Sequence, residues 1–493
     1  MTFPVKYERG GNLPSQSPAG DELLAGDEVG WDPASFRDPS GRVFTVQGRV
    51  FRAIRSSWAE AWKEFSSSPL FQELQQEGLL IKTIPAAGSL QFPASLTEGS
   101  CAVVEHERIP FVSYPYEWSF GMLKDAALLH LDLLERTLPY DFICKDASAY
   151  NVQFVGSKPV FVDILSITRH ALGEPWLGYH QFCKMFLYPL MLEAYKQIPF
   201  QSWLRSELEG VDPVLFSRVM GARDLLRPGV FTHVRLQAWL QKRLAASRDS
   251  VRRRIKISRL PKAAIVRNLR GLRRLLHRLT PRSDSAWMDY VRTRSYSDLA
   301  MKQKEGFVRK TLAGQQWRFV WDLGCNTGDF SRLAADHADY VVALDSDPLC
   351  VEWLYQGLKQ EGRRNILPLV MNLANLSPNQ GWAGRERLSL AARGKPDLAL
   401  CLALIHHLTI NCNVPIPAFL SWLAELGTSV IIEFVSKEDP MVRQLLLNKD
   451  DTYEDYNRPG FEQYLNQFFN VRDTSAIAGG TRFLYFAVPL SKS

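Results

Sequence analysis

Gly324 and Gly328, with Asn326 between them, form a turn that can hold a small ligand against the backbone. Glycine has no Cβ, so the chain can approach a bound group that a larger residue would repel. Asp345 follows Gly324 by 21 residues, and an acid at this distance can accept hydrogen bonds from ribose hydroxyls. These residue types and this spacing indicate a nucleotide-cofactor site.

A strand, a helix and a second strand must position these residues. The apolar run 319–323 predicts the first strand, a helix begins near Phe330, and 340–344 predicts the second strand. The helix N-terminus offers free N–H groups to an anionic ligand group. Further strands are predicted at 365–371, 397–403 and 429–435, followed by a terminal antiparallel hairpin, 469–473 and 482–488. This order predicts a doubly wound α/β domain.

Residues 322–328 read Asp-Leu-Gly-Cys-Asn-Thr-Gly and resemble the first motif of class I S-adenosylmethionine-dependent methyltransferases. That family usually has a third glycine where Asn326 stands, but asparagine is the non-glycine residue that best tolerates a positive φ. The resemblance extends over residues 287–493. It implies a Rossmann-like seven-stranded domain that binds S-adenosylmethionine.

The same resemblance implies a role for each residue of the cofactor site. Asp345 would hold the ribose, and Asn372, at the end of the third strand, would contact the adenine amino group. Asp322 would help to hold the amino group of the methionine end. That end would be cradled by Gly324, Asn326 and Gly328.

The segment after the fourth strand, 404–408, resembles the family's fourth motif, where the acceptor approaches the methyl group. A hydroxyl acceptor needs a general base, and His406 or His407 is the nearest candidate. Glu433, near the end of the fifth strand, is an alternative. Such histidine pairs often only shape the lip of a pocket. Two further segments are 450–456 and the one around Tyr290, Arg294 and Tyr296. Each could contribute to acceptor recognition or could be a surface loop.

In the N-terminal half, Asp146 and Asn151 are five residues apart, and Asp163 follows 12 residues after Asn151. This spacing resembles the catalytic loop and metal-binding aspartate of the protein-kinase and aminoglycoside-phosphotransferase superfold, over residues 40–235. The resemblance implies an α+β domain in which Asp146 accepts a hydroxyl proton. Asn151 and Asp163 would hold Mg²⁺ against ATP phosphates.

Several features depart from that pattern. No glycine-rich loop precedes the β-run, and Cys144-Lys145 stands where His-Arg is usual. The motif at Asp163 continues with Ile-Leu instead of Phe-Gly. The ATP-binding lysine would be replaced by Arg52 or Lys82, and its helix partner by Glu60 or Glu64. A catalytically inactive scaffold that binds the acceptor or a partner is the alternative interpretation.

Local patterns predict the elements of this half and its boundaries. Two β-runs, 43–46 and 49–54, flank a tight Gln47-Gly48 turn. Helices are predicted at 57–71 and 120–137, and β-structure at 79–84 and 102–113. The chain divides into a flexible tail (1–38), the kinase-like α+β domain (39–235), a basic helical linker (236–285) and the methyltransferase domain (286–493).

The basic linker concentrates the positive charge of the chain. Residues 242–282 contain 15 Lys and Arg against one acid, Asp249, within a chain of formal net charge +7. Ile265, Leu269, Leu272, Leu276 and Leu279 recur at helical spacing and predict one apolar face. A connecting helix docked through its leucines is favoured, with nucleic-acid binding and adsorption to an anionic membrane as alternatives. The segment lacks aromatic residues for stacking on bases.

Composition restricts the class of protein. The seven cysteines are scattered and contain no C-x-x-C motif, which favours reduced thiols in the cytoplasm and argues against a structural zinc site. No apolar run reaches the length of a bilayer span, and the first residues lack a signal-peptide core. The length predicts two or three domains.

The sequence therefore predicts an S-adenosylmethionine-dependent methyltransferase with a small molecule or glycan-like natural product as acceptor. Three alternatives stay open: an RNA methyltransferase that uses the basic linker, a kinase-like phosphotransferase with a regulatory methyltransferase-like domain, and a scaffold with two inactive folds. A second resemblance, to methyltransferase-domain proteins associated with nodulation factors, rests on 376–408 alone. Those residues do not define a substrate.

Overall fold

A computed structural model of the protein describes residues 30–490 except 88, 89, 91, 172, 246–260, 282–297, 448–451 and 478. The side chains of 242–245 are also outside the description. The described part of the chain begins within the predicted tail, where strand β1 (Gly30–Trp31) pairs with the next strand, β2 (Gly41–Val46). Residues 1–29 of that tail lie outside the described residues.

The N-terminal half begins with a five-stranded antiparallel sheet in the order β1-β2-β3-β5-β4. The predicted turn between β2 and β3 is confirmed, since Gln47 and Gly48 have φ of 51° and 70°, as a tight hairpin turn requires. The predicted β-structure at 79–84 and 102–113 is shorter and shifted in the structure. The strands are β2 (Gly41–Val46), β3 (Arg49–Arg55), β4 (Thr83–Pro85) and β5 (Ser100–His106).

The single helix predicted at 57–71 is wrong, because two helices occupy this region. Helix α1 (Ala59–Ser66) ends before Ser68, whose hydroxyl accepts a hydrogen bond from the Phe71 N–H and caps helix α2 (Pro69–Gln76). Proline at the first helical position favours a new start there. Helices α3 (Ala94–Thr97) and α4 (Phe120–Thr137) follow, and α4 is the long helix predicted from its apolar face.

Two small sheets and a mainly helical part complete this half. Strand β6 (Phe142–Cys144) pairs with β9 (Ile167–Arg169), and β7 (Val152–Val155) pairs with β8 (Lys158–Phe161). The helices are α5 (Tyr179–Phe182), α6 (Tyr188–Lys196), α7 (Gln201–Ser206), α8 (Pro213–Val219) and α9 (Leu236–Ala245).

Helix α10 (Lys262–Arg278) is the part of the basic linker that follows the undescribed residues 246–260. Its predicted apolar face is buried, including Ile265, Leu269 and Leu272, and the helix packs against α4. Lys262 forms an ion pair with Asp141, and Arg273 forms one with Glu135 at 2.8 Å. The structure therefore agrees with a helix docked through its leucines.

The C-terminal half contains a seven-stranded sheet in the order β12-β11-β10-β13-β14-β16-β15. Strands β10 to β14 are parallel, and β16 runs antiparallel to both β14 and β15. This is the predicted doubly wound α/β domain with its terminal hairpin, as in the class I methyltransferase fold. The strands are β10 (Trp317–Leu323), β11 (Ala338–Asp345), β12 (Ile366–Val370), β13 (Leu398–Cys401), β14 (Ser429–Val435), β15 (Phe469–Ala476) and β16 (Arg482–Pro489).

Helices flank both faces of this sheet, and the N-terminal half covers part of one face. Alternate residues of β10 point to different cores, since Phe319 and Trp321 join the core shared with the N-terminal half, whereas Val320 packs with the first helices of the domain. The helices are α11 (Asp298–Leu312), α12 (Asp329–Ala335), α13 (Pro348–Glu361), α14 (Leu390–Arg393), α15 (Ile416–Glu425), α16 (Pro440–Leu446) and α17 (Arg458–Phe468).

Candidate functional site

A cavity of about 490 Å³ opens at the carboxyl ends of β10, β11, β12 and β13. The chain moves outward from β10 through β11 to β12, then crosses back to β13 on the other side of β10. Open α/β sheets bind ligands where the strand order reverses in this way, because the loops on either side diverge and leave a crevice. The cavity is therefore where this topology favours a ligand.

The loop after β10 has the backbone conformation that the sequence predicts. Gly324 and Gly328 have φ of 82° and 81°, and Asn326 has φ of 50°, so the asparagine adopts the left-handed conformation of the family's third glycine. A Cβ on Gly328 would collide with the Leu354 side chain. The Gly324 N–H donates to the Leu344 carbonyl at 2.8 Å, which ties the loop to β11. Of these three loop residues, Gly324 and Asn326 line the cavity, and Gly328 does not.

Asp345 ends β11 and lines the cavity, as predicted. Its carboxylate accepts hydrogen bonds from the Asn326 N–H at 2.8 Å and from the Asp347 N–H at 2.9 Å. Burial raises the pKa of Asp345, while these backbone N–H groups oppose the shift. The two hydrogen bonds fix the orientation of the carboxylate, and they link it directly to the glycine loop.

Asp322 also lines the cavity, although its residue is only 2% exposed. It accepts a hydrogen bond from the Ser331 hydroxyl at 2.6 Å. Burial raises the pKa of Asp322 to about 7, and the Ser331 hydrogen bond opposes this shift. A cationic group placed beside Asp322 would favour its ionised form.

Asn372 follows β12 and lines the same cavity. Its side-chain oxygen accepts a hydrogen bond from the Ala374 N–H at 2.9 Å, which holds the turn after the strand. An amide oxygen has two lone pairs, so it can accept a second hydrogen bond. The cavity lining thus includes every predicted cofactor residue except Gly328.

Of the two candidate histidines, only His407 lines the cavity. Its pKa falls to about 4, chiefly through burial and also through Arg482, so the ring is neutral near pH 7. His406 is fully buried, and neither of its ring nitrogens has a hydrogen-bond partner among the described residues. The rings lie 4.2 Å apart between centroids. His407 is therefore the better placed of the two, and its catalytic role stays a prediction.

Glu433 is fully buried and is not among the residues that line the cavity. It forms ion pairs with Lys304 at 2.7 Å and with Arg482 at 3.4 Å, and it accepts a hydrogen bond from the Ala403 N–H. Two adjacent cations disfavour protonation of a carboxylate. This environment suits a structural anion better than a general base.

Sequence reasoning missed Lys304 and Met301, which line the cavity from helix α11. Lys304 is a buried member of an apolar stripe whose other residues are Ala300, Phe307, Val308 and Leu312. A lysine at a core position of such a stripe is unusual, because the charge must be paired or used. A lysine within this apolar stripe is therefore the sequence signal that could have identified Lys304.

The other acceptor-side segments do not reach the cavity where they are described. Tyr453 donates to the Asn413 side chain at 2.6 Å, and Tyr456 donates to the Val435 carbonyl at 2.7 Å. Neither tyrosine lines the cavity. Residues 450 and 451 and the segment around Tyr290, Arg294 and Tyr296 lie outside the described residues.

In the N-terminal half, Asp146, Asn151 and Asp163 meet at one place. The Asn151 amide donates to Asp146 at 2.7 Å and lies 3.5 Å from Asp163. Arg52, one of the two predicted replacements for the ATP-binding lysine, forms an ion pair with Asp163 at 2.7 Å. Burial and the Asp163 charge raise the pKa of Asp146 to about 6. Lys82, the other replacement, is exposed.

The described part of the chain contains neither a metal-binding cluster nor a helix that could span a membrane. No group of three or more His, Cys, Asp or Glu residues there is arranged to hold a metal ion. None of the helices described has both the length and the apolar character needed to cross a bilayer.

Comparison with known proteins shows a relative along almost the whole chain. Nodulation protein NoeA of Rhizobium meliloti (strain 1021) is 37% identical over 467 residues, which are 94% of this chain and 97% of the relative. The chain belongs to the NoeA family. No protein-family model matches the chain. The similarity to NoeA spans both halves of this chain.

Solved structures similar to the chain correspond in extent to one domain of it. The N-methyltransferase NodS from Bradyrhizobium japonicum WM9, in complex with S-adenosyl-L-homocysteine, is 12% identical and covers 42% of this chain and 100% of its own, with a TM-score of 0.30. Magnesium protoporphyrin IX methyltransferase from Synechocystis PCC 6803 is 19% identical, covers 42% and 92%, and has a TM-score of 0.30. The kinase-like interpretation of the N-terminal half stays a prediction.

Proposed function

We propose that this member of the NoeA family is an S-adenosylmethionine-dependent methyltransferase whose C-terminal domain holds the cofactor. The observation that carries the proposal is the joint geometry of the loop 324–328 and Asp345 at the switch point of the sheet. S-adenosylmethionine supplies an electrophilic methyl group on a sulfonium ion. The residues around the cavity would bind this cofactor and orient it toward an acceptor.

The cavity residues fit the parts of this cofactor. Gly324 lines the cavity without a Cβ, so the backbone there can come close to a bound ligand. Asp345 is a fixed carboxylate that can accept hydrogen bonds from ribose hydroxyls, and Asn372 offers an amide to the base. Asp322 is a buried carboxyl group beside the loop, and the ammonium group of an amino-acid end placed there would favour its ionised form.

The acceptor side of the proposal is a small molecule or a glycan-like natural product. The cavity that would hold the cofactor, about 490 Å³, lies in the range of small-molecule and cofactor sites. His407 lines the cavity and would accept the proton of a hydroxyl acceptor. RNA is the rival acceptor, favoured by the exposed arginines of α10, among them Arg267, Arg270 and Arg274.

Calorimetry with S-adenosylmethionine tests the cofactor assignment. Asp345→Ala should weaken binding about 100-fold or more, because two charge-assisted hydrogen bonds to the ribose are lost. Asp339→Ala is the matched control, since Asp339 is an exposed acid at the opposite end of β11. Absence of binding by the unaltered protein, or equal binding by both variants, contradicts the proposal.

Methyl transfer from a labelled cofactor identifies the acceptor class. A lysate is incubated with labelled S-adenosylmethionine, with and without the protein, and is then separated into small-molecule, glycan, RNA and protein fractions. The proposal expects label in the first two fractions. Label confined to RNA would establish the rival acceptor.

A second candidate function is phosphoryl transfer by the N-terminal half, favoured by the convergence of Asp146, Asn151 and Asp163. Mg²⁺ would need the Asp163 carboxylate, which Arg52 engages at 2.7 Å in the structure. Binding of Mg-ATP, measured by calorimetry and abolished by Asp163→Asn, would support this function. Lack of ATP binding by the unaltered protein would leave a scaffold for the methyltransferase domain.

A further inference from the structure

The solvent side of helix α10 carries a row of arginines. The helix packs on α4 through its apolar face, so the opposite face is open to water. Its sequence contains no acid, and among the described residues its ion pairs are those of Lys262 and Arg273. Spacings of three and four residues place the exposed arginines in one row, about 16 Å long. They are Arg267, Arg270, Arg274 and Arg278.

An exposed apolar turn lies next to this row. Leu226 is 94% exposed and Phe231 is 61% exposed. Gly229, between them, packs against α10, since a Cβ on Gly229 would lie 2.5 Å from the Leu275 side chain. Leu275 directly follows Arg274, and Gly229 is three residues after Leu226. The turn and the arginine row are therefore neighbours on the surface.

Contacts with helix α6 and the following residue types hold this turn in place. The Tyr195 hydroxyl donates to the Pro228 carbonyl at 2.9 Å, and the Arg227 guanidinium lies 5.0 Å from the centroid of the Tyr195 ring. Asp224, the acid of this turn, pairs with Lys196 at 2.5 Å and with Arg227 at 3.3 Å. Its charge is thus already compensated by two cations. The exposed leucine is carried by a turn that its neighbours hold.

This combination of side chains indicates the chemistry of a partner. Exposed arginines beside exposed aliphatic groups suit a surface that is anionic outside and apolar beneath. The cations attract lipid phosphates, and the aliphatic groups enter the boundary of the acyl chains. RNA carries phosphates too, but its bases stack on aromatic rings, and α10 contains none. An exposed leucine adds little to such a contact.

We propose that the arginine row of α10 and the turn at Leu226 form a surface that adsorbs to an anionic membrane. The protein would lie on the bilayer and not cross it, in keeping with the described helices, none of which could span a membrane. None of these residues lines the cavity. The inference therefore goes beyond the proposed function and can be tested without the cofactor.

Sedimentation with lipid vesicles tests the charged part of the surface. Vesicles of phosphatidylcholine alone are compared with vesicles of equal parts phosphatidylcholine and phosphatidylglycerol, at low salt. The unaltered protein should sediment with the anionic vesicles only. A triple variant with Arg267→Gln, Arg270→Gln and Arg274→Gln should bind them about 100-fold more weakly, about fivefold for each cation removed. Equal sedimentation with both kinds of vesicle overturns the inference.

A second triple variant controls for net charge. It removes three cations from exposed positions outside this surface, Arg55→Gln, Arg385→Gln and Arg472→Gln, and should stay within about threefold of the unaltered protein because distant charges are screened. Replacing the three α10 arginines by lysine should also preserve binding, since a lipid surface responds to charge. Equal losses in the two glutamine variants contradict the proposal.

The apolar part needs a variant of its own. Leu226→Ser should weaken binding to the anionic vesicles about tenfold, whereas Leu447→Ser, at a position 77% exposed in the other half, should not. If Leu226→Ser binds vesicles normally, and the α10 triple variant loses affinity for a single-stranded RNA, the surface belongs to nucleic acid and the inference is wrong. A dimer that Leu226→Ser dissociates in sedimentation equilibrium would assign the turn to a second copy of the chain and would overturn it as well.

Discussion

Asn326 determines whether the cofactor loop can form without a third glycine. Its φ of 50° is in the left-handed region, which costs most L-residues about 1–2 kcal/mol. Its side-chain oxygen accepts a hydrogen bond from the Thr327 N–H at 2.7 Å, and its own N–H donates to Asp345. The asparagine therefore supplies the backbone conformation of glycine and adds a local hydrogen bond.

Two substitutions at Asn326 test this account. Asn326→Gly should bind S-adenosylmethionine within about threefold of the unaltered protein, because glycine adopts the same φ. Asn326→Val should weaken binding about tenfold or more, since a β-branched residue disfavours this conformation by 1 kcal/mol or more. Calorimetry measures both. Equal binding by the two variants would show that the loop tolerates another conformation.

At the level of single residues, the sequence locates the cavity lining well at the loop after β10 and at the strand ends, and poorly elsewhere. The loop and Asp345 were found because turn conformation and strand ends leave local signals. Glu433 was expected near the acceptor, but a strand end does not reveal which neighbours a side chain meets. The position of Lys304 at the cavity was missed because its ion pair is with Glu433 of β14, more than 100 residues away.

At the level of elements, helix α4 joins the two halves and carries a buried histidine. His130 is 0% exposed and lies among the rings of Phe161, Trp176, Phe182 and Phe186. Neither ring nitrogen has a hydrogen-bond partner among the described residues. Burial lowers the pKa of His130 to about 3, so the folded protein keeps this ring neutral.

This pKa predicts a loss of stability in mild acid. Below about pH 6.5 the unfolded chain protonates His130 and the folded protein does not, so the free energy of unfolding falls as pH decreases toward 3. The contribution is about 1.4 kcal/mol per pH unit in that window. Urea unfolding of His130→Phe at pH 7.5 and 5.0 should show a smaller decrease than the unaltered protein. The control variant His277→Gln, at an exposed position, should show the same decrease as the unaltered protein.

The elements themselves were predictable where the pattern was local. The parallel strands of the C-terminal sheet are mainly apolar, and β14 spans the predicted residues 429–435. The helix predicted at 57–71 failed because its apolar periodicity continues across Ser68 and Pro69, where a cap and a proline start a second helix. Capping competes with periodicity in such a segment, and here the cap decides the boundary.

At the level of the whole molecule, the N-terminal half completes the core of the methyltransferase-like domain. The connection from β12 to β13 contains α14, of four residues, in place of a long helix. The face of the sheet beside it is covered from the other half, where Phe111 lies 5.9 Å from Phe319 between ring centroids. No local pattern could predict this packing, because its partners are more than 200 residues apart.

A buried ion pair, Glu117 with Arg393, lies at this junction. Both side chains are 1% exposed, and the two guanidinium nitrogens lie 2.7 and 2.6 Å from the two carboxylate oxygens. Ser377 also donates to Glu117 at 2.6 Å. The Arg393 guanidinium stacks over Tyr114, 4.7 Å from its centroid. Residues from both halves therefore satisfy a pair of charges that neither half could bury alone.

Breaking this ion pair should lower the stability of the folded protein. Glu117→Gln or Arg393→Met alone should lower the free energy of unfolding by about 3–5 kcal/mol, because each leaves an unpaired buried charge. The double variant should lose less than the sum of the two, since it leaves neither charge. Urea denaturation followed by tryptophan fluorescence measures the cycle, with exposed Arg318→Met as control. Additive losses would mean that the two side chains do not interact in solution, and that the halves are joined mainly by apolar packing.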